Sequence, residues 1–494
     1  MAEQASETSL RRGRIGTAGI VFFVVAAAAP LVGMTGAVPV AMLAGNGAAA
    51  SGTYLLVGLT LLLFSVGFTA MTNRVTNAGA FFAYVGRGMG PNMGVAAGFA
   101  SILGYVTIQL AIYGFFGGLL ALQAGMFPWY VWAFIGWALV TALAALSVDV
   151  GAKVLGTLMI AELLSLTITG IAVLVNHSSQ IDFNAAFNPS NIFAGGITGG
   201  AGIAIAFAFA SFIGFEATAI YGEESIDPKK SVPRATYWAI GIITALFALV
   251  SFAMVTGLGP DKVVEQVATI STVDGVPGAD PAAVLFSLAE QNVGPWMSTA
   301  MQWLVVSSLF AGLLAFQNAN ARYLFALGRG GVFPKSFART NRQGAPIVGV
   351  VVTSILAAVV MAYFALAGLD PILNLFFWSS AITAVAIILV EFLVSISVVI
   401  YFSRNGGANV WKAYIAPIGA AILLAGGEYL LMSRFNLLGG LQPEGVDPTL
   451  PESAWQLSTL GWALVLSPFI ALVIGYIVAM VRKENSELLK DIVS

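Results

Sequence analysis

Two long hydrophobic segments of this chain are interrupted by residues that break helices. The first contains Ala29-Pro30-Leu31-Val32-Gly33-Met34-Thr35-Gly36, and the second contains Ala210-Ser211-Phe212-Ile213-Gly214-Phe215-Glu216. A break in a membrane helix leaves backbone N–H and C=O groups without partners in a medium that has no water, so it persists only where protein or a cavity surrounds it. Two breaks in corresponding places are typical of the central site of a secondary transporter.

The composition indicates a polytopic membrane protein. Of 494 residues, 59% are hydrophobic and only 9% are charged, whereas a soluble domain has about 25% charged residues. The chain has no Cys and one His, which excludes disulfides, thiolate catalysis and Cys/His metal sites. A net charge of −2 gives no indication of a nucleic-acid partner. We therefore expect no enzyme, no metal and no cofactor.

Apolar runs of about 20 residues can cross a bilayer, and the sequence predicts twelve of them. They lie near 15–44, 52–73, 93–121, 129–147, 152–175, 199–224, 234–257, 295–324, 347–367, 373–402, 412–432 and 457–481.

Loop charges support this number of spans. Of the 21 Lys and Arg residues, only Lys262 and Arg434 fall on segments predicted to be external, as the positive-inside rule requires when both termini are cytoplasmic. One missed span would invert every later loop. We expect a multi-pass protein of the cytoplasmic membrane, in contact with lipid, with tails at 1–14 and 484–494, a core at 15–403, and two further helices within 404–483.

Three motifs suggest a family. Residues 211–216 with 223–235 read SFIGFE and EESIDPKKSVPRA, residues 77–85 read NAGAFFAYV, and residues 322–334 read RYLFALGRGGVFP. In this order they resemble the signatures of amino acid–polyamine–organocation permeases. The resemblance implies an all-α leucine-transporter fold, in which spans 1–5 (about 15–175) and 6–10 (about 199–402) form an inverted repeat and spans 11 and 12 are added.

The helix breaks form the predicted substrate site. The half-helix after a break presents free N–H groups and a positive dipole end, which suit a carboxylate. In the first segment we expect residues 33–36 to precede such a half-helix. Carbonyls at Ala28, Ala29 and Leu31, and at Ala210, Ser211 and Ile213, are candidates to receive an ammonium group. The alternative is a proline kink without a ligand. The substrate-binding residues predicted at the two breaks are Ala29, Gly33, Met34, Thr35, Gly36, Ala210, Ser211, Phe212, Ile213, Gly214 and Phe215.

Span 3 adds a polar stripe, because Ser101, Tyr105, Gln109 and Tyr113 recur every four residues and so share one helix face. The resemblance places Tyr105 and Gln109 on the substrate-facing wall, whereas hydrogen bonding between helices is the alternative. Arginine-exchanging relatives carry aromatic gates on helices 6 and 8. This sequence aligns Ala210 and Ala311 there, which disfavours arginine as the substrate.

Four carboxylates fall within predicted spans, where charge is costly and usually functional. Burial disfavours the ionised form, so Glu216, beside the second break, is the first candidate for proton coupling. Glu162 aligns with a lysine of proton-coupled relatives and is the second. For Glu391 and Glu428 we expect structural roles or oligomer contacts, and a homodimer is compatible with the sequence.

Charges at the predicted cytoplasmic ends of spans 6 and 8 suggest an inner gate. Glu223 and Glu224 face a basic set that includes Arg87 and Arg322, with Lys229, Lys230 and Arg329 nearby. The alternative is that these cations only set the topology.

The sequence therefore predicts a secondary transporter of an amino acid or related amine, driven by protons and working as an importer. A substrate/product exchanger is the alternative, and a ligand sensor without transport is a weaker one. No GxxxxGK phosphate loop is present, which disfavours ATP-driven transport. Span 8 offers no hydroxyl at the level of the first break, which weakens a sodium site.

Overall fold

The computed structural model describes residues 10, 13, 15–75, 77–146, 148–273 and 275–482, with backbone only for 148–155. The predicted tail at 484–494 and most of the tail at 1–14 lie outside the described residues. Within the described part, the chain has twelve helices that are long and apolar enough to cross a membrane, which confirms the predicted number of spans.

The first and sixth of these helices are each built from two halves, and the short helices Ala37–Val40 and Ala41–Asn46 lead from the first to the second. The spanning helices are α1a (Thr17–Ala28) and α1b (Pro30–Thr35), α2 (Ala50–Thr72), α3 (Pro91–Ala124), α4 (Trp129–Leu146), α5 (Val148–Asn176), α6a (Gly200–Ser211) and α6b (Phe215–Glu224), α7 (Pro228–Leu258), α8 (Pro295–Arg329), α9 (Ile347–Leu366), α10 (Phe377–Asn405), α11 (Ala416–Ser433) and α12 (Thr459–Val481).

Helix ends differ from the predicted spans where polar residues continue a helix beyond the apolar run. α7 begins at Pro228 rather than near 234, and α8 continues to Arg329 rather than ending near 324. Hydropathy detects the part of a helix that lies in lipid, whereas Pro228 begins α7 because proline suits the first helical position. Charged residues of the motifs at 223–235 and 322–334 therefore lie within regular helices. A short helix, Ala282–Asn292, precedes α8.

Burial places the sixth span at the centre of the bundle. It is the most buried of the twelve, while α4 and α12 are the least buried. α1a packs against α5, α6b, α7 and α8. The two broken helices are therefore surrounded by protein, which is the condition under which a membrane helix can be interrupted.

α3 and α10 pack closely and run in opposite directions. The Thr107 hydroxyl lies 2.8 Å from that of Thr383, and a Cβ built on Gly104 would lie 3.0–3.2 Å from side-chain atoms of Ile387 and Ala386. Small and hydroxyl-bearing residues allow such close contact between membrane helices. This register fixes the height of α10 residues relative to the polar stripe of α3.

Most cations lie at one end of the bundle. Arg74 follows α2, Arg329 ends α8, and Arg404 lies in the last turn of α10. We call this end the basic side. It corresponds to the side that the loop charges predict to be cytoplasmic.

Candidate functional site

The first helix is broken at a single residue. Ala29 has φ 42° and ψ 65°, a left-handed conformation that is uncommon for a residue with a side chain. The helix resumes at once, because Pro30 takes the first position of α1b. The N–H groups of Gly33 and Gly36 bond to Ala29 O and Val32 O.

This geometry corrects one expectation. Residues 33–36 were predicted to precede the second half-helix and to offer free N–H groups, but Gly33, Met34 and Thr35 lie inside α1b and Gly36 directly follows it. The sequence reading placed the break at the glycines, whereas the proline determines where the helix restarts. Their contact with substrate remains a prediction.

Glu162 of α5 caps α1b. Its Oε1 accepts a hydrogen bond of 2.9 Å from the Leu31 N–H, and the residue is 2% exposed. Because Pro30 has no N–H, that of Leu31 is the first donor at this positive helix end. The Ser308 hydroxyl of α8 lies beside the carboxylate without making a well-formed hydrogen bond. A hydroxyl of span 8 therefore does lie at the level of the first break, contrary to the expectation from the sequence.

The second break has a matching cap. Gly214 has φ 115° and separates α6a from α6b, a 3₁₀ helix. Glu216 Oε2 accepts from the Gly214 N–H at 2.8 Å, and Oε1 accepts from the Tyr105 hydroxyl at 3.0 Å. Both oxygens of this buried side chain therefore have donors.

The two breaks touch each other. A Cβ on Gly214 would lie 2.8 Å from the backbone of Ala27 and Ala28, so only glycine lets α6 come this close to α1. A Cβ on Gly33 would lie 3.7 Å from Ser211. Residues that are far apart in the sequence thus form one centre, as predicted.

Carbonyl groups at both breaks lose their helical donors. The i+4 partners of Ala26, Ala27 and Ala28 are Pro30, which has no N–H, Leu31, which donates to Glu162, and Val32, which donates to Ala29 O.

The same holds at the end of α6a. The i+4 partners of Ala210 and Ser211 are Gly214, which donates to Glu216, and Phe215, which donates to Phe212 O. These carbonyls lie at the negative ends of two half-helices and suit a cation.

The carbonyl prediction is thus corrected in part. Ala28, Ala210 and Ser211 have carbonyls without their helical donors. In contrast, Ala29 O accepts from Val32 and Gly33 N–H, and Leu31 O accepts from the Thr35 hydroxyl at 2.8 Å. Ser211 also uses its side chain, whose hydroxyl lies 2.9 Å from that of Tyr54.

The remaining predicted residues of α6 line the break as buried side chains. Phe212 and Phe215 are 0% and 1% exposed, and Ile213 is 7% exposed. Ala210 is half-buried. The Phe212 ring packs edge-on against Phe247 of α7 with 5.0 Å between centroids.

The two predicted residues of α3 have different surroundings. Tyr105 reaches the α6 break through Glu216. Gln109 instead belongs to a network between helices, where its Oε1 accepts from Asn320 at 3.0 Å and its Nε2 donates to Gln317. Gln317 donates in turn to Thr353 and to other groups of α9. The network joins α3, α8 and α9.

The predicted gate at the basic side is a pair of ion pairs. Arg322 donates to both oxygens of Glu224 at 2.7 and 2.9 Å, and their side chains are 1% and 7% exposed. Arg322 also donates to Asn318 O at 3.0 Å. The Ile15 N–H bonds to Glu224 O at 3.1 Å, which ties the start of α1 to the end of α6.

Glu223 joins all three sequence motifs. It accepts from Arg329 of α8, with one bond of 3.0 Å to Oε2, and from the Ala78 N–H at 2.8 Å. Arg329 was one of the nearby cations in the sequence prediction. Arg87, which was placed in the gate itself, makes no ion pair with the part of the chain that the structure describes. Arg87 lies in the last turn of the helix Ala80–Met89.

The other two intramembrane carboxylates are also buried. Glu391 is 0% exposed and Glu428 is 9% exposed, and none of their four oxygens has a donor among the described residues. A cavity of about 390 Å³ lies elsewhere, at the basic side, lined by Arg74, Tyr237 and Lys412 among others. It is separate from the helix breaks.

Comparison with known proteins places this geometry in a family. The family model described as amino acid permease matches residues 15–435. The chain belongs to the amino acid permease family. The match includes both breaks, all three motifs and the gate, and it confirms the resemblance to the amino acid–polyamine–organocation superfamily. The family consists of membrane transporters and not of enzymes.

Curated relatives of this permease are transporters of amino acids. A branched-chain amino acid permease of Lactococcus lactis subsp. cremoris is 26% identical over 344 residues, which are 65% of this chain and 70% of the relative. A histidine permease of the same organism is 24% identical over 61% of this chain and 63% of its own. A D-serine/D-alanine/glycine transporter of Escherichia coli K12 is 26% identical over 53% of each.

Solved structures share the fold of this permease. A manganese transporter of Eremococcus coleocola aligns with a TM-score of 0.54 at 15% identity, covering 96% of this chain and 98% of its own. A Na⁺-coupled sialic acid symporter aligns with a TM-score of 0.52 at 13% identity, covering 87% and 92%. At such identities the likeness shows the fold alone. Twelve helices with breaks in the first and sixth agree with the predicted leucine-transporter fold.

Proposed function

We propose that this permease moves an amino acid or a related amine across the cytoplasmic membrane by alternating access, together with protons. The observation that carries the proposal is the hydrogen bond between Glu162 and the Leu31 N–H. It places a titratable carboxylate on the backbone donor that a substrate carboxylate would use at this break.

The amine of the substrate fits the other side of the breaks. Carbonyls of Ala26–Ala28 and of Ala210 and Ser211 lack their helical donors and lie at negative half-helix ends. An ammonium group supplies three donors, so it can satisfy several of these carbonyls at once.

Proton binding and substrate binding favour each other at the Leu31 N–H. An ionised carboxylate is a stronger acceptor than a protonated one. When Glu162 takes up a proton, its hold on Leu31 weakens, and the N–H and the positive end of α1b become available to a substrate carboxylate. By linkage, bound substrate raises the affinity of Glu162 for its proton by the same factor.

Glu216 supplies the same relationship at the second break. Its ionised form accepts from Gly214 and from Tyr105, so protonation would loosen both the start of α6b and the link to α3. Opening toward the basic side further requires that the Arg322–Glu224 pair separate. The proton-linked breaks and this gate are thus connected through the ten residues of α6b.

Uptake into proteoliposomes under an imposed inward proton gradient tests the proposal. The radiolabelled panel begins with branched-chain amino acids, histidine, and glycine with D-alanine and D-serine, and then adds amines. Glu428→Gln is the matched control for Glu162→Gln and Glu216→Gln, since it also neutralises a buried carboxyl but caps neither break.

We expect gradient-driven accumulation in the wild type and in Glu428→Gln, and its loss in Glu162→Gln or Glu216→Gln with counterflow exchange retained. Exchange without accumulation in the wild type would contradict proton symport and favour a substrate/product exchanger. Binding without either flux would indicate a sensor.

A further inference from the structure

Glu391 is a carboxyl that the proposed coupling does not yet use. It lies in α10, is 0% exposed, and neither of its oxygens has a hydrogen-bond donor among the described residues. Burying an ionised carboxylate without a partner is very costly, and such groups usually become neutral. The surroundings of Glu391 thus suit a protonated carboxyl, in contrast to those of Glu216, which has donors on both oxygens.

The register of α10 against α3 sets the height of Glu391. Thr383 faces Thr107, and Ile387 faces Gly104, so one further turn places Glu391 at the level just below Gly104 on α3. The Tyr105 side chain leans in that direction, because helical side chains point toward the N-terminus. Its hydroxyl ends on Glu216. Tyr105 therefore links α3 to Glu216 at about the height of Glu391.

The charges around Glu391 are few. Those that act on it from the described residues are Glu216 of α6b and the Tyr105 hydroxyl of α3. Tyr84, on the helix Ala80–Met89 that also packs against α10, pairs with the Thr72 hydroxyl at 2.9 Å. Glu428 lies on α11. The cation on α10 itself, Arg404, lies about 20 Å further along the helix.

We propose that Glu391 is a further proton-binding site of this permease, beside Glu162 and Glu216, which holds a proton in the conformation described here while Glu216 is ionised. This inference rests on the proposed proton coupling and adds a residue to it. When the site rearranges, the O–H bond of Glu391 breaks, an O–H bond forms on Glu216, and the negative charge moves to Glu391. The Tyr105 hydroxyl donates to Glu216 in this conformation, and after the rearrangement it would turn toward the newly ionised Glu391.

Glu428 provides a matched control for a purely structural role. It is also buried, with two oxygens that lack donors, but it lies on α11 and not on the face of α10 that packs against α3. A carboxyl that only fills space should behave like Glu428. A carboxyl that shares a proton with the transport site should respond to changes in Glu216.

The test is infrared difference spectroscopy of the purified full-length permease in liposomes, recorded between acidic and alkaline buffer without substrate. We expect a protonated-carboxyl band that disappears in Glu391→Gln, moves in Glu391→Asp, shifts its titration midpoint in Glu216→Gln, and is unchanged in Glu428→Gln. Glu391→Asp keeps the test valid if the glutamine variant folds poorly.

A band that does not titrate, or whose titration midpoint is the same in Glu216→Gln as in the wild type, would overturn the proposal. The result is independent of uptake. If the wild type shows no proton-driven accumulation while the band still responds to Glu216→Gln, then the proton site at Glu391 stands and the proposed symport fails. If accumulation occurs and no Glu391 band is present, then the symport stands without this site.

Discussion

The carboxylate of Glu162 lies 2.9 Å from the backbone nitrogen of Leu31, across a sequence separation of 131 residues. The break at Ala29 and Pro30 leaves the first N–H of α1b, that of Leu31, without a helical acceptor. Glu162 supplies this acceptor. Glu216 does the same for Gly214 at the second break. At each break, therefore, a glutamate side chain accepts a hydrogen bond from the backbone N–H where the helix begins again. The stability of the breaks and the proton binding of the site depend on the same two side chains.

Glu162→Leu and Glu162→Gln separate these two roles. Leucine leaves the Leu31 N–H buried without an acceptor, which costs about 1–3 kcal/mol, whereas the glutamine amide still offers an oxygen. Thermal unfolding in detergent should show Glu162→Leu melting clearly below the wild type and Glu162→Gln close to it. Equal melting of the two variants would contradict a capping role for Glu162.

Gly214→Ala should disrupt the contact between the breaks. The added methyl would lie 2.8 Å from the backbone of Ala27 and Ala28, at a residue with φ 115°. We expect a large loss of folded protein and of uptake. Gly241→Ala in α7, where a Cβ meets nothing within 4 Å, is the control and should fold as well as the wild type, since alanine favours a helix by about 1 kcal/mol over glycine.

Local patterns in the sequence were sufficient for the number of spans and for the two segments that contain the breaks. Hydropathy and loop charge predicted twelve spans, and Pro30 and Gly214 marked the interruptions. The partners across the bundle were not predictable in this way. The bonds of Gln109 to Asn320 and of Glu162 to Leu31 join segments more than 100 residues apart, and no local periodicity encodes which polar groups meet.

The same limit explains the misplaced N–H donors of α1. A glycine-rich run suggests an open backbone, but hydrogen bonding begins again as soon as Pro30 fixes φ near its helical value. At the predicted gate, the charged residues could be recognised but not their pairing. The charges of residues 223, 224 and 322 were recognisable as a set, yet whether Arg87 or Arg329 completes it depends on how the helix Ala80–Met89 packs.

The two ion pairs at the basic side should contribute differently to the free energy of unfolding. Arg322 and Glu224 are almost fully buried, so Arg322→Gln leaves an unpaired buried carboxylate, which costs about 3–5 kcal/mol. The Arg329 and Glu223 side chains are 25% and 13% exposed, and Arg329→Gln should cost about 1 kcal/mol. Thermal unfolding of the two variants checks the order. The double variant Arg322→Gln with Glu224→Gln should recover much of the first loss.

The same pair should control access from the basic side, and the absence of cysteine makes this directly measurable. Ser211→Cys places a single thiol at the α6 break, behind Arg322 and Glu224. In inside-out vesicles, a membrane-impermeant thiol reagent should label it slowly in the otherwise wild-type permease. Labelling should be at least several times faster with Glu224→Gln, because the neutral amide no longer holds the guanidinium between α6b and α8.

Arg87→Gln, which removes a cation outside the cluster, is the control and should leave the labelling rate unchanged. If Glu224→Gln left the rate unchanged as well, the ion pair would be a structural feature of the basic side and the barrier to the breaks would lie elsewhere along α6b.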